Sequence, residues 1–358
     1  MRKRLLIVGT HGIPAKYGGF ETMIEQITPF LLKYEIGVTC SSKMKGGQKT
    51  YNGIRLHYIN LSASGYQSPF YDTVSMILSV VHGYDIVLYL GPTFGGSTII
   101  PWLFQKQVIL NFGGLDEWSR PKYPWLIRKL IWTNFFIASK IAKATIADNT
   151  VIKSSIKKNF NVTPQVIRYG GDHVLGFQPQ EISSFGLQGR FALVVARAQK
   201  DTLLKEIIHS WNVASLPLVI ISNWSTSQYG LEAKQLGSQN DKVKVLDAIY
   251  DQEMLNSIRS KAYLYIHTHT LCGTAPSLVE AINLELPIIS VDRPTNRETT
   301  KNGAHYWKST KELVQFISSP SFNEEYISKL KENSVKLKND YNWKSISDEY
   351  IRVIDGLD

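Results

Sequence analysis

The sequence predicts an α/β protein of two doubly wound, Rossmann-like domains facing each other across a cleft, with a C-terminal helix crossing back. Three observations predict it. Short apolar runs alternate with helix-length amphipathic stretches, the alternation stops in a Gly-rich polar stretch and resumes, and 358 residues suffice for two cores. Buried runs separated by helices belong to parallel sheet with right-handed crossovers.

In the first half, residues 5–8, 37–40, 54–59, 86–90, 108–111 and 145–147 read as buried strands, with helices over 20–34, 124–142 and 149–158. The stretch "RYGGDHVLGFQPQEISSFGLQGR" breaks the pattern, so the expected domains are 1–170 and 171–340. Strands resume at 191–195, 216–221, 243–246, 263–266 and 288–291. In the tail, 341–358, Trp343, Ile346, Tyr350 and Ile354 keep helical spacing and are expected to pack back on the first domain.

Composition narrows the function classes. Hydrophobic content of 43% with 20% charged residues describes a globular chain. Two cysteines, Cys40 and Cys272, make no disulfide framework, and the N-terminal apolar run is too short for a signal peptide. A cytoplasmic protein is expected. The net charge of +10 favours anionic partners, and without an RNP, zinc-finger or long basic-helix motif nucleic acid is not expected among them.

Four stretches carry candidate chemistry. "GTHGIPAKYGGFET" follows the first strand, but its glycines, Gly9, Gly12, Gly18 and Gly19, do not form G-x-G-x-x-G. The second strand ends in Cys40-Ser41-Ser42 rather than an acid, so the nicotinamide fingerprint fails twice. Gly18 and Gly19 either offer backbone N–H groups to an anion at a helix start or serve a turn. In "YIHTHTLCGTAPSLVEAINLELPIISVD", Gly273, Thr274, Ala275 and Pro276 lead into a helix whose start suits a phosphate, with Ser277 adding a hydroxyl. Glu280, a turn on, either accepts from ribose hydroxyls or lies on a solvated face. His267 and His269 alternate on the strand end, which sends one to the cleft and one to the core.

In "LVVARAQKDTLLKEI", Arg197 ends a strand and suits a bidentate clamp on a diphosphate, with Lys200 as a helping charge or a solvated lysine. In "LNFGGLDEWSRPKYPW", Asp116 and Glu117 either bind sugar hydroxyls or cap a helix. No D-x-D pair, zinc spacing or P-loop occurs, and "DQE" at 251–253 reads as a helix start, so no metal is expected. "RKLIWTNFFIASKIAK" interleaves Arg128, Lys129, Lys140 and Lys143 with Trp132, Phe135, Phe136 and Ile141, and upstream "RPKYPW" adds Arg120, Lys122, Tyr123 and Trp125. It either attaches to an anionic leaflet or covers one face of the first sheet.

Together these stretches resemble the GT-B glycosyltransferases of retaining family four, most of all a bacterial rhamnosyltransferase branch that acts in capsule and O-antigen assembly. "GIPAKYGGFET" is similar to that branch's opening motif, and "IHTHTLCGTAPSLVEA" to its H-x-H…G-T-x-P-S-L-x-E-A loop. "GLDEWSR", "IADN", "RYGGD", "SNWSTSQYG", "IYDQEML" and "RPTNRE" follow in the family's order over nearly the whole chain.

The resemblance implies transfer of a sugar, best matched by L-rhamnose from dTDP-rhamnose, to a lipid-linked saccharide with retention. It implies no metal and no cofactor, at the inner face of the cell membrane. It gives catalytic roles to Asp116, Arg197 and Glu280. Gly18, Gly19, Glu21 and Glu117 from the first domain would touch substrate, with Tyr169, Lys200, Asn223, Tyr250 and His269 from the second. His11 stands where the branch usually has arginine, and "GLDEWSR" carries one extra residue. Cys272 replaces the first of the wider family's two glutamates, leaving Glu280. That replacement keeps a second reading open, a catalytically silent nucleotide-sugar or glycan-binding scaffold. A NAD-dependent oxidoreductase is disfavoured by the missing fingerprint.

Overall fold

Leu5 to Val8 are all fully buried, as a central strand covered on both faces must be. This strand, β1 (Arg4–Val8), organises the first half of a computed structural model that describes residues 2–15, 18–44, 47–113, 118, 123–213 and 216–357. The chain divides into two compact units, Met1–Arg168 with Trp343–Asp358, and Tyr169–Asn342.

The first unit continues with α1 (Gly19–Ile27), β2 (Glu35–Ser41), β3 (Thr50–Tyr51), β4 (Ile54–Ile59), α2 (Ser68–Val81), β5 (Ile86–Leu90) and α3 (Ile99–Leu103). Then follow β6 (Gln107–Asn111), α4 (Trp125–Ile141), β7 (Ala144–Ala147), α5 (Thr150–Phe160) and β8 (Gln165–Val166). Its sheet has the order β3-β4-β2-β1-β5-β6-β7-β8, parallel except for the β3–β4 pair. One face packs Val8, Val87, Tyr89 and Leu110 against Met76, Phe135, Ile156 and Phe160 of α2, α4 and α5.

The second unit holds β9 (Ala192–Val195), α6 (Leu204–Ser210), β10 (Leu218–Ser222), α7 (Gln228–Ser238), β11 (Val243–Asp247), α8 (Gln252–Ser260) and β12 (Leu264–His267). It ends with α9 (Pro276–Asn283), β13 (Ile288–Val291), α10 (Pro294–Thr299), β14 (His305–Trp307), α11 (Thr310–Ile317) and α12 (Glu324–Leu337). All pairs in its sheet, β11-β10-β9-β12-β13-β14, are parallel. Neighbouring strand residues separate cleanly to the two faces. Val194, Ile220, Ile266 and Ile289 join the core under α6 and α11, while Leu193, Val219, Tyr265 and Ile288 join that under α8 and α9.

The last helix, α13 (Trp343–Asp355), belongs to the first unit. Its Tyr350 hydroxyl accepts from the Asn111 side-chain amide at 2.6 Å, and Asp355 accepts from Tyr34 at 2.5 Å and pairs with Lys33. The helix expected over 20–34 stops earlier, at Ile27. Pro29, which has no N–H to donate, tightens the chain into a 3₁₀ turn over Thr28–Phe30, and Leu31 bonds back to Thr28.

Candidate functional site

Strand order reverses at β1/β5 in the first unit and at β9/β12 in the second. Loops leaving the carboxyl ends of strands at such points form the binding crevice of a doubly wound sheet. The loops in question are those after β1, β9 and β12, which carry three of the four candidate stretches.

Arg197 lies two residues beyond the end of β9, not on the strand, with its side chain 42% exposed. Its backbone is fixed from several directions. The Ala198 N–H donates to Asn223 Oδ1 (3.0 Å), Ser227 Oγ donates to the Ala198 carbonyl (2.6 Å), and Thr202 Oγ1 donates to the Arg197 carbonyl (2.8 Å). Asn223 thus positions the arginine's loop with its own amide oxygen, an acceptor the sequence reading gave to the substrate. Asp201 Oδ2 is 4.0 Å from the guanidinium and has no hydrogen-bond partner. The Asp201 carbonyl accepts from both the N–H (2.8 Å) and the hydroxyl (2.9 Å) of Thr270, which ties this loop to the one after β12. Lys200 is exposed at the start of the short turn Lys200–Thr202.

After β12 the two histidines do not point apart. The strand ends at His267, and beyond it the chain leaves the pleat. The His267 and His269 rings stack 4.8 Å apart at 14°, both buried. Burial, reinforced by the Arg197 charge and opposed by Asp201, pushes the His269 imidazole down to about 4. Burial and the neighbouring His269 push His267 well below the usual imidazole range. Cys272 Sγ lies 3.4 Å from Asn296 Oδ1 and 3.9 Å from His267 Nε2. Gly273, Thr274 and Ala275 are buried, and α9 begins at Pro276 without a side-chain cap, with Ser277 half-buried in its first turn.

Glu280 is buried on α9, not on a solvated face. Burial alone would raise its carboxyl. The Arg259 guanidinium, which donates to Oε2, and His173, whose Nε2 lies 3.3 Å from Oε1, outweigh burial and hold it at about 2. Arg259 is itself 4% exposed. Neither partner was legible from the sequence. Arg259 looks like any charge on the amphipathic α8, and His173 is the residue after the "RYGGD" motif. Asp201 was missed too, although it sits one residue after Lys200.

In the first unit the opening loop is held by carboxylates of α1. Glu21 Oε1 accepts from the His11 N–H at 2.8 Å and Glu25 Oε2 from the Ala15 N–H at 3.3 Å. Burial raises the Glu21 carboxyl, with the bonds from the His11 N–H and its own backbone N–H opposing. Gly12 has φ +104° and a Cβ there would lie 2.5 Å from Cys40 Sγ, so that glycine serves close contact with β2. Gly18 precedes α1 as its cap residue and Gly19 is the helix's first. Asp116 and Glu117 lie outside the described residues. Tyr169 is buried, and Tyr250 is exposed just before Asp251, which caps α8 by accepting from the Met254 N–H at 3.0 Å. Among the described residues no cluster of three or more His, Cys, Asp or Glu is placed to hold a metal ion.

A family model described as a domain of unknown function, DUF1972, matches residues 2–172. No curated protein matches the sequence. The chain is similar to the solved sucrose-phosphate synthase of Thermosynechococcus elongatus, at 12% identity and TM-score 0.79 over 99% of both chains. It is similar to Anabaena HepE in complex with UDP and glucose, at 12% identity and TM-score 0.73 over 99% of this chain and 100% of that one. A third is WaaG, a glycosyltransferase involved in lipopolysaccharide biosynthesis, at 13% identity and TM-score 0.73 over 98% of this chain and 99% of that one. The likeness is one of fold. This α/β chain, with two Rossmann-like parallel-sheet domains, has the GT-B architecture of those structures.

Proposed function

We propose that the protein is a glycosyltransferase that moves a sugar from a nucleoside diphosphate to a saccharide acceptor. The observation that carries this is the β9/β12 switch point, where a tethered, half-exposed Arg197 accompanies the uncapped start of α9. A guanidinium and a row of backbone N–H groups suit a diphosphate leaving group, because both are preorganised for its charge. The UDP and glucose held by HepE, a structure of the same architecture, support this reading.

In the reaction, the bond from the anomeric carbon to the β-phosphate oxygen breaks as the acceptor oxygen bonds to the same face of that carbon. The departing phosphate takes the acceptor's proton. Arg197 and the backbone N–H groups of Gly273, Thr274, Ala275 and Ser277 stabilise the charge left on the diphosphate, so no metal is required. Glu280, fixed by Arg259 and His173, accepts from the ribose hydroxyls with its remaining lone pairs, and Tyr250 lies near the base. In the first unit Gly18 and Gly19 offer backbone N–H groups to substrate, while Asp116 and Glu117 orient sugar hydroxyls. The domain roles are acceptor binding by 1–170 and donor binding by 171–340, with 341–358 as the helix returning to the first.

The motif resemblance supports dTDP-rhamnose as donor, a lipid-linked saccharide as acceptor, retention, and peripheral attachment at the inner membrane face. A screen of nucleotide sugars for release of nucleoside diphosphate tests the proposal, with dTDP-rhamnose expected to give the fastest release. Binding of a donor with no release, with or without acceptor, would favour the scaffold reading that Cys272 leaves open. No binding of any nucleotide sugar would overturn both.

A further inference from the structure

We propose that the first unit docks on an anionic lipid surface through the face built by α3 and the opening turns of α4. This gives the peripheral attachment proposed above a specific surface, which overlaps the stretch the sequence suggested at the start of α4 and adds α3. The apolar body of α4 is core. Ile131, Phe135 and Ala138 are buried, and Trp132 stacks on Phe136 (5.3 Å, 14°) while touching Phe160. The more exposed apolar residues of this face lie at the first turns of α4 and on α3. Trp102, Leu103 and Phe104 at the end of α3, with Trp125, Leu126 and Leu130 at the start of α4, are each 54–65% exposed. Because α3 packs against both α2 and α4, they belong to one side of the sheet. Large apolar side chains gathered on one exposed face mark an interaction site.

Charge identifies the partner. The first unit carries 22 Lys and Arg against 12 Asp and Glu, the second 18 against 18, so the whole net charge of +10 resides in the first. Between Asp85 and Asp148 the only acids in the sequence are Asp116 and Glu117. The only acid on α2, Asp72, is buried and accepts from Tyr89 at 2.7 Å. Lys106 follows Phe104 by two residues, Lys129 lies among the exposed residues of the opening turns of α4, and the exposed Lys143 follows that helix. Two copies meeting through this face would bring lysines against lysines, which disfavours self-association. Tryptophans with an apolar body and a polar N–H, ringed by cations, fit the headgroup region of an anionic leaflet. Among the described residues no helix is long and apolar enough to cross a membrane, so the contact is lateral.

The test is co-sedimentation of the full chain with phosphatidylcholine vesicles, with and without phosphatidylglycerol, at low and high salt. The wild type should pellet with the anionic vesicles at low salt and not with the neutral ones. The triple variant Trp102→Ser/Leu103→Ser/Leu126→Ser should lose pelleting by about tenfold or more, whereas Leu231→Ser, at an exposed leucine of the second unit, should not. Should the triple variant melt early, Lys106→Glu/Lys129→Glu must lose binding instead. Pelleting unaffected by either set, or a wild type that never pellets, would overturn the proposal. So would a vesicle-independent wild-type dimer that the triple variant breaks, which would assign the face to a protein contact. The assay contains no donor or acceptor, so its outcome stands apart from that of the transfer reaction.

Discussion

Glu280 and Arg259 form a buried pair whose members depend on each other. Removing the cation strands a carboxylate in a dry site, so Arg259→Met should cost about 3–5 kcal/mol in a denaturation midpoint. Glu280→Gln should destabilise for the mirror reason, which means that loss of donor binding by that variant has to be read only on its folded fraction. Arg197→Ala should behave differently. Its side chain is 42% exposed, so the melting temperature should stay, while turnover falls by about 10²–10³ if it stabilises the leaving group.

The stacked histidines predict a pH dependence. Held near 4 in the fold and about 6.5 when unfolded, His269 takes up its proton only on unfolding across that window. The unfolded chain then binds more protons, and stability falls as pH drops from about 6.5 to 4, by up to about 3 kcal/mol for this group. Melting curves at pH 7 and pH 5 check this. The His269→Asn variant should show a shallower drop than the wild type, and an equal drop would contradict the assignment. Sequence reasoning placed these residues at a strand end but turned one outward, because period-two alternation holds only while the strand lasts.

At the scale of elements, residues 86–90 and 288–291 were legible to the residue because fully buried strands carry an uninterrupted apolar signal, and 54–59 because Ile54, Leu56 and Ile59 are buried between exposed or half-buried residues. The edge strands β3, β8 and β14 were not, because two or three residues display no period. Which loops bear candidate chemistry was readable from glycine and proline punctuation. How their side chains are used was not, because Asn223, Glu21 and Glu280 bond to partners remote in sequence. The "RYGGD" motif shows one such remote constraint. A Cβ on Gly171 would fall 2.4 Å from Asn283 Nδ2 and 2.8 Å from the Val279 carbonyl on α9. Gly171→Ala should therefore cost about 1–3 kcal/mol by pushing this segment off α9, and a melting temperature equal to the wild type would refute the packing argument.

At the scale of the molecule, the division of charge separates two tasks. The cationic first unit suits the anionic surface proposed above, and the second unit, with cations and acids in equal number, offers Arg197 at its switch point. The fold class was legible because two runs of strand–helix alternation interrupted once admit few architectures. Donor identity was not, since an architecture leaves the recognition of base and sugar to individual side chains. The central claim is that a nucleoside diphosphate binds at the β9/β12 switch point through Arg197. Calorimetric titration of dTDP into the wild type and the Arg197→Ala variant, both in EDTA, tests it most directly. The wild type should bind without metal and the variant about a hundredfold more weakly. Equal affinity for the two proteins, or a wild type that binds no nucleoside diphosphate, would contradict it.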